Sequence, residues 1–199
     1  QVMQAFGTPS ARHQGRFHTG EDWYGGRGTS LGSRVQAIAN GRVTYSSPYG
    51  WGLDGGVIII EHTFPDGSVF YSEYGHIAEG NGVTFPPALS CVTEGMVIAV
   101  IADVRPAPHL HFEIKTDGAD RPGAGYSWAY PTDEGYRRPS KFVLNGQLWL
   151  SDAHAWHADL ADEAAPVSPP VILSDNSLIY LDSDRVSLLS SDGRILWRV

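Results

Sequence analysis

Between residues 33 and 114 the apolar positions come in short runs separated by glycine-rich turns. Val35 to Ala39 is small and apolar, Asn40-Gly41 is a turn signal, and Arg42 to Tyr45 resumes with β-forming residues. Val57-Ile58-Ile59-Ile60 is a continuous β-branched run, the mark of a strand buried on both faces. Pro65-Asp66-Gly67 predicts a turn, Val69 to Ile77 returns to aromatic and β-branched residues, and Val97 to Ala102 is another apolar run. His109 to Ile114 alternates strictly, so His109, His111 and Glu113 share one strand face and Leu110, Phe112 and Ile114 the other. Short strands at close spacing predict a compact all-β domain built from antiparallel sheet.

The pattern changes after residue 115. Glycines and prolines interleave with Tyr126, Trp128, Tyr130 and Tyr136, which predicts a long ordered loop anchored by aromatics. Of these, Trp128, Tyr130 and Tyr136 either floor a groove or anchor the core. Ala153 to Ala165 is alanine-rich and predicts a short helix, followed by the linker-like Ala165-Pro166-Val167-Ser168-Pro169-Pro170. From Val171 strand patterning resumes, too briefly for an independent sheet domain. The expected organisation is therefore a main domain over residues 1–150, a linker over 151–170 and a short C-terminal β segment over 171–199.

Composition narrows the function classes. A 42% hydrophobic and 18% charged chain of 199 residues buries a sizeable core. A net charge of -8 without a basic run argues against nucleic acid and anionic membrane as partners. No apolar run approaches the ~20 residues of a membrane span. Cys91 is the single cysteine, so no intrachain disulfide forms, and it lies in no recognisable nucleophile pattern. The chain opens on Gln1 without a visible signal peptide.

The chemistry resides in the histidines. His109 and His111 are half of a metal site, a catalytic pair, or two exposed strand histidines. His18-Thr19-Gly20-Glu21-Asp22 places an imidazole and a carboxylate four residues apart around a glycine. They can converge on one ion, for which zinc is suited, or form a plain hydrogen bond. His76, in Tyr74-Gly75-His76, reads by itself as a structural histidine. His154 and His157 lie three apart and read as a solvated face, with a second metal as the sharper option.

In order along the chain, His18-x-Gly20-x-Asp22, Tyr74-x-His76-Ile77 and His109-Leu110-His111-Phe112-Glu113 together resemble the lysostaphin-like (LytM-type) zinc metalloendopeptidases. Gly28-Thr29 to Val35-x-Ala37 and Gly41-x-Val43 resemble that family's first hairpin. Gly56-Val57-x-Ile59-x-x-His62 with Asp66-Gly67 resembles its central strands, and Pro139-Ser140-x-Phe142 its end. The resemblance covers residues 4 to 145. It implies a two-sheet antiparallel fold of the duplicated-hybrid-motif kind, with the site in a groove. It further implies one zinc ion per chain on His18, Asp22 and His111, with His76 and His109 as catalytic histidines. The implied substrate is the peptide part of bacterial peptidoglycan, outside the cytoplasm. The alternative is a non-catalytic wall-binding or regulatory module on the same fold.

On that resemblance, His62 is structural, His13 lies near the site, and Glu113 serves either the histidine pair or the packing. Ala102 to Pro108 is shorter than its counterpart and stiffened by two prolines, while Glu79 to Cys91 is longer; both bear on substrate preference. Residues 170–199 resemble a single repeat of a pyrroloquinoline-quinone-type β-propeller.

Overall fold

The structure is a computed structural model. It describes residues 1–64, 67–118, 121–150, 171–172, 178–181, 186–189 and 195–198. It divides into two compact units, Gln1–Pro139 and Ser140–Val199.

The strands of the first unit are antiparallel and make up most of its regular structure. Its strands are β1 (Val2–Gln4), β2 (Pro9–Ser10), β3 (Arg16–His18), β4 (Glu21–Trp23), β5 (Arg34–Gln36), β6 (Gly41–Ser47) and β7 (Gly56–Thr63). They continue with β8 (Val69–Ala78), β9 (Cys91–Val92), β10 (Val97–Ile101), β11 (Leu110–Lys115), β12 (Tyr126–Ser127) and β13 (Tyr136–Arg137). The large sheet runs β1-β4-β11-β8-β7-β6-β9, with β10 and β5 continuing from the end of β8 and β13 lying against β11. A small second sheet has the order β12-β3-β2. This is the expected all-β class in two antiparallel sheets.

The residue pattern explains the centre of the large sheet. Val57, Ile58, Ile59 and Ile60 are fully buried, because β7 is flanked by β6 and β8 and covered on both faces. On one face Val57 and Ile59 pack with Tyr45, Trp51 and Tyr71. On β11, Phe112 and Ile114 enter the core, which turns His111 and Glu113 to the opposite face.

Two features depart from the sequence reading. The stretches around Val35 and Val43 do not form a hairpin with each other. β5 pairs with β10, and β6 pairs with β7 and β9. Ala37 exchanges backbone hydrogen bonds with Met96 and Gly95, which extends the β5–β10 pairing towards the Asn40-Gly41 turn and keeps this stretch off β6. The second departure is an α-helix, α1, over Pro139–Leu150. Its proline stands at the first helical position, where the missing N–H costs nothing.

Among the described residues after 115, the chain carries β12 and β13 between loop segments. β12 seats Tyr126 opposite His18 and Ser127 opposite Phe17. In the second unit, β14 (Val171–Ile172), β15 (Leu178–Leu181), β16 (Val186–Leu189) and β17 (Ile195–Arg198) pair antiparallel in chain order. The expected 151–170 linker and helix, His154 and His157, and the Pro65-Asp66 part of the predicted turn lie outside the described residues.

Candidate metal centre

Three chain segments meet on one face of the large sheet. β11 pairs with β4 in a register that sets His111 opposite Asp22, and with β8 in a register that sets His111 opposite Gly75. β3 ends at His18, only four residues before Asp22. The turn between them depends on Gly20. A Cβ there would overlap the Phe112 carbonyl and lie 2.8 Å from Glu113 Cγ and 2.9 Å from His111 Nε2. Glycine thus lets the His18–Asp22 segment lie directly against β11.

The donor atoms form a small triangle. His18 Nε2 lies 3.0 Å from His111 Nδ1 and 3.2 Å from Asp22 Oδ1, and His111 Nδ1 lies 3.0 Å from Asp22 Oδ1. A tetrahedral zinc ion with bonds of about 2.0–2.1 Å holds its ligands about 3.3 Å apart, so this triangle is of the size the ion requires. Two imidazoles and a carboxylate are also the donor types that zinc accepts in sites with an open position. All three residues are buried. Among the described residues this is the one cluster of its kind.

The ring nitrogens facing away from the triangle are also engaged. His18 Nδ1–H donates to Ala5 O at 3.3 Å, and His111 Nε2–H donates to Glu113 Oε1 at 2.8 Å. These bonds leave His18 Nε2 and His111 Nδ1 facing the triangle. Burial disfavours charge on His111, but its hydrogen bonds to Asp22 and Glu113 outweigh this and raise its pKa to about 10. Burial likewise opposes ionisation of Asp22, yet hydrogen bonds from His111 and His18 hold its carboxyl well below the usual range.

His109 and His76 stand beside the triangle. His109 Nε2 is 3.7 Å from Asp22 Oδ1, and its Nδ1–H donates to Ala107 O at 2.7 Å. His76 Nδ1–H donates to Asp54 O at 2.7 Å. The two rings lie 4.6 Å apart between centroids. His76 has φ 59°, in the left-handed region that non-glycine residues rarely occupy, at the point where β8 bends from β11 towards β10. Burial lowers its pKa to about 4 despite the Asp54 hydrogen bond, so the ring is neutral near pH 7. The structure therefore brings together His18, Asp22, His76, His109 and His111.

Of the two readings of the loop aromatics, Tyr130 follows the core-anchor one. Trp128 is 65% exposed, beneath the Arg16 guanidinium, and Tyr130 packs edge-on against Phe6 and Phe17. Tyr136 lies under Lys115. The rings beside the site are Trp51 and Tyr126. Trp51 stands 4.9 Å from His76 and 5.2 Å from His111 between centroids, and its Nε1–H donates to Gly123 O at 2.9 Å. Its ring occupies the space above Gly75, where a Cβ would collide with it. Tyr126 lies 5.1 Å from His18 and stacks on His13 at 3.7 Å, which places His13 at the edge of the site.

Glu73 is the functional-face residue that sequence reading passed over. It lies directly opposite Glu113, buried beside a cavity of about 100 Å³. Burial and the neighbouring Glu113 raise its pKa, and Gly123 N–H donates to its carboxyl. His62, by contrast, is a packed structural residue: its Nδ1–H donates to Asn40 O at 2.8 Å, and its Nε2 lies 2.7 Å from Ser72 Oγ. Cys91 is exposed.

Residues 16–121 match peptidase family M23, a span that covers more than half of the chain and contains all five of these residues. The chain belongs to peptidase family M23. Among solved structures, the catalytic domain of the antimicrobial peptidase lysostaphin from Staphylococcus simulans matches with 21% identity and a TM-score of 0.50, over 72% of this chain and 92% of that one. LytU matches with 21% identity and a TM-score of 0.50, over 72% and 84%. Lysostaphin in solution matches with 16% identity and a TM-score of 0.51, over 100% and 76%. At these identities the likeness is one of fold. No curated protein sequence matches the chain.

Proposed function

We propose that this M23 peptidase is a zinc-dependent endopeptidase that hydrolyses peptide bonds in the stems or cross-links of bacterial peptidoglycan, outside the cytoplasm. The carrying observation is the 3.0–3.2 Å triangle of His18 Nε2, Asp22 Oδ1 and His111 Nδ1, with two further imidazoles beside it. These three residues hold one zinc ion per chain. When bound there, zinc supplies Lewis acidity, which polarises a carbonyl and acidifies a water molecule.

The protein's own groups handle the protons. The Nδ1–H groups of His109 and His76 are each committed to a backbone carbonyl, so each ring turns an Nε2 lone pair outward as a base. As water oxygen bonds to the scissile carbonyl carbon and the C–N bond breaks, a proton moves from water to one of these Nε2 atoms and on to the departing amine. The low pKa of His76 keeps it an acceptor across neutral pH. Trp51 and Tyr126 wall the site, fixing the His76 and His111 rings on one side and the His18 ring on the other.

Peptidase family membership supports the reaction class, and the fold shared with lysostaphin, described as an antimicrobial peptidase, supports a bacterial cell-wall substrate. Among the described residues no helix is long and apolar enough to cross a membrane. Metal analysis of purified protein tests the ligand set. About one equivalent of zinc is expected, and His111→Ala or Asp22→Ala should lose most of it. Undiminished zinc in both variants contradicts the assignment.

A further inference from the structure

Two residues outside the ligand set connect the segments that carry it. Glu113 is 2% exposed and sits two residues after His111 on the same face of β11. Its Oε1 accepts hydrogen bonds from His111 Nε2 at 2.8 Å and from the Thr19 hydroxyl in a closer contact. Thr19 is 1% exposed and lies between His18 and Asp22, within the segment that carries two of the three donors. Its backbone N–H donates to Gly125 O at 3.1 Å, so its main chain is fixed independently of the hydroxyl. A single carboxylate oxygen thus receives one bond from the strand bearing His111 and one from the turn that joins His18 at the end of β3 to Asp22 on β4.

We infer that Glu113 and Thr19 form a positioning clamp for the metal centre: Glu113 turns His111 so that Nδ1 faces the other two donors, and Thr19 ties the β3–β4 turn, between His18 and Asp22, to Glu113. The inference rests on the zinc reading above and extends it to residues that touch no ion. Imidazole has two nitrogens, and the partner of one decides which presents its lone pair. A buried carboxylate also requires donors, and here two neighbouring segments provide them. Loss of the Thr19 hydroxyl leaves Glu113 with one of these bonds and removes the one side-chain tie between Thr19 and Glu113, so that the Glu113 carboxylate, and with it the His111 ring, is held less firmly. Donor triangles tolerate little movement, because zinc–ligand bonds vary by only about 0.2 Å.

The test uses Thr19→Val, Thr19→Ser, Glu113→Gln and His111→Ala in the full chain. Zinc affinity is measured by chelator competition at one fixed pH, the visible spectrum is recorded with cobalt in place of zinc, and the melting temperature is taken metal-free. Loss of a partner hydrogen-bonded to a metal ligand typically costs 10–100-fold in metal affinity, so Thr19→Val and Glu113→Gln should each weaken zinc binding by about that factor and alter the cobalt spectrum. Thr19→Ser, which keeps the hydroxyl, should restore both. A Thr19→Val protein with wild-type affinity and spectrum overturns the clamp, whatever its melting temperature, because a purely structural role moves only the latter. Should Glu113→Gln not fold, the two Thr19 variants decide the matter alone. If His111→Ala still binds zinc tightly, the ligand set fails and this inference falls with it. If His111→Ala empties the centre while Thr19→Val binds normally, the clamp alone is wrong.

Discussion

Adding one methyl group at Gly75 tests how the site wall is built. Gly75 faces the candidate centre from β8, opposite His111, and the Trp51 ring fills the space above it. In Gly75→Ala the new Cβ would lie 3.1 Å from Trp51 Cε3 and nearer still to Cζ3 and Cη2. Ordinary carbon–carbon contact requires ~3.5–4.0 Å, so the ring must retreat by about 1 Å or more. Trp51 is held by the hydrogen bond to Gly123 O and by packing on Val57 and Ile59, so the retreat strains both. Overpacking of this kind costs ~1–3 kcal/mol. The same ring stands edge-on to His76 and His111, and a misplacement of about 1 Å can cost up to about 10²-fold in rate.

The assay is a double-mutant cycle of Gly75→Ala, Trp51→Ala and the pair, followed by thermal melting, zinc content and peptide hydrolysis. Trp51→Ala alone should also destabilise, by less than the ~3–5 kcal/mol of a fully buried ring, since Trp51 is partly buried. Adding Gly75→Ala to Trp51→Ala should then cost almost nothing, because the methyl has no ring to strike. The two changes should be non-additive by roughly the cost of Gly75→Ala alone. Additive losses, or a Gly75→Ala protein as stable and active as wild type, would refute the reasoning.

Two further outcomes follow from the site. His109→Ala and His76→Ala should each keep about one zinc per chain and lose about 10²–10⁴-fold in hydrolysis rate, read on the same preparations; loss of zinc from His109→Ala would show that the roles are wrongly divided. Glu73 has a raised pKa, so above about pH 4.5 the unfolded chain gives up a proton that the folded chain retains, and stability falls as pH rises. Glu73→Gln removes that penalty while keeping an acceptor for Gly123, so its melting temperature should gain on wild type between pH 5 and pH 8, whereas a constant difference would contradict the shift.

What could be read from the sequence was what local pattern determines. The alternation from His109 to Ile114 fixes the two faces of β11, and the β-branched run from Val57 to Ile60 marks the centre of the sheet. The five candidate site residues stand out because they fall in three short motifs. Register was not legible, and register decides the rest. β5 turns to β10 instead of pairing with β6 because residues 95 and 96 offer it a backbone partner from far along the chain. Trp51 reaches the site only because β8 presents a glycine beneath it, and Gly75 gave no sign of this in sequence. Residue type left Trp128 and Tyr130 open between groove and core, and only the tertiary structure places them against Arg16 and Phe17. Glu73 and Glu113 become a pair only through the β8–β11 register. Helix α1 went unread because Pro139 resembled the end of a domain more than the start of a helix.

The central claim is that this chain cleaves peptide bonds in bacterial cell wall with the centre formed by His18, Asp22 and His111. The most direct measurement is mass analysis of the fragments released from several purified peptidoglycans by zinc-loaded wild type, metal-stripped wild type and His111→Ala. The account predicts fragments with new amino and carboxyl termini within the stem or cross-link peptides, released by the zinc-loaded wild type, abolished by stripping, restored by added zinc, and absent with His111→Ala. Binding to peptidoglycan without any new termini, or cleavage that persists in His111→Ala, would contradict it.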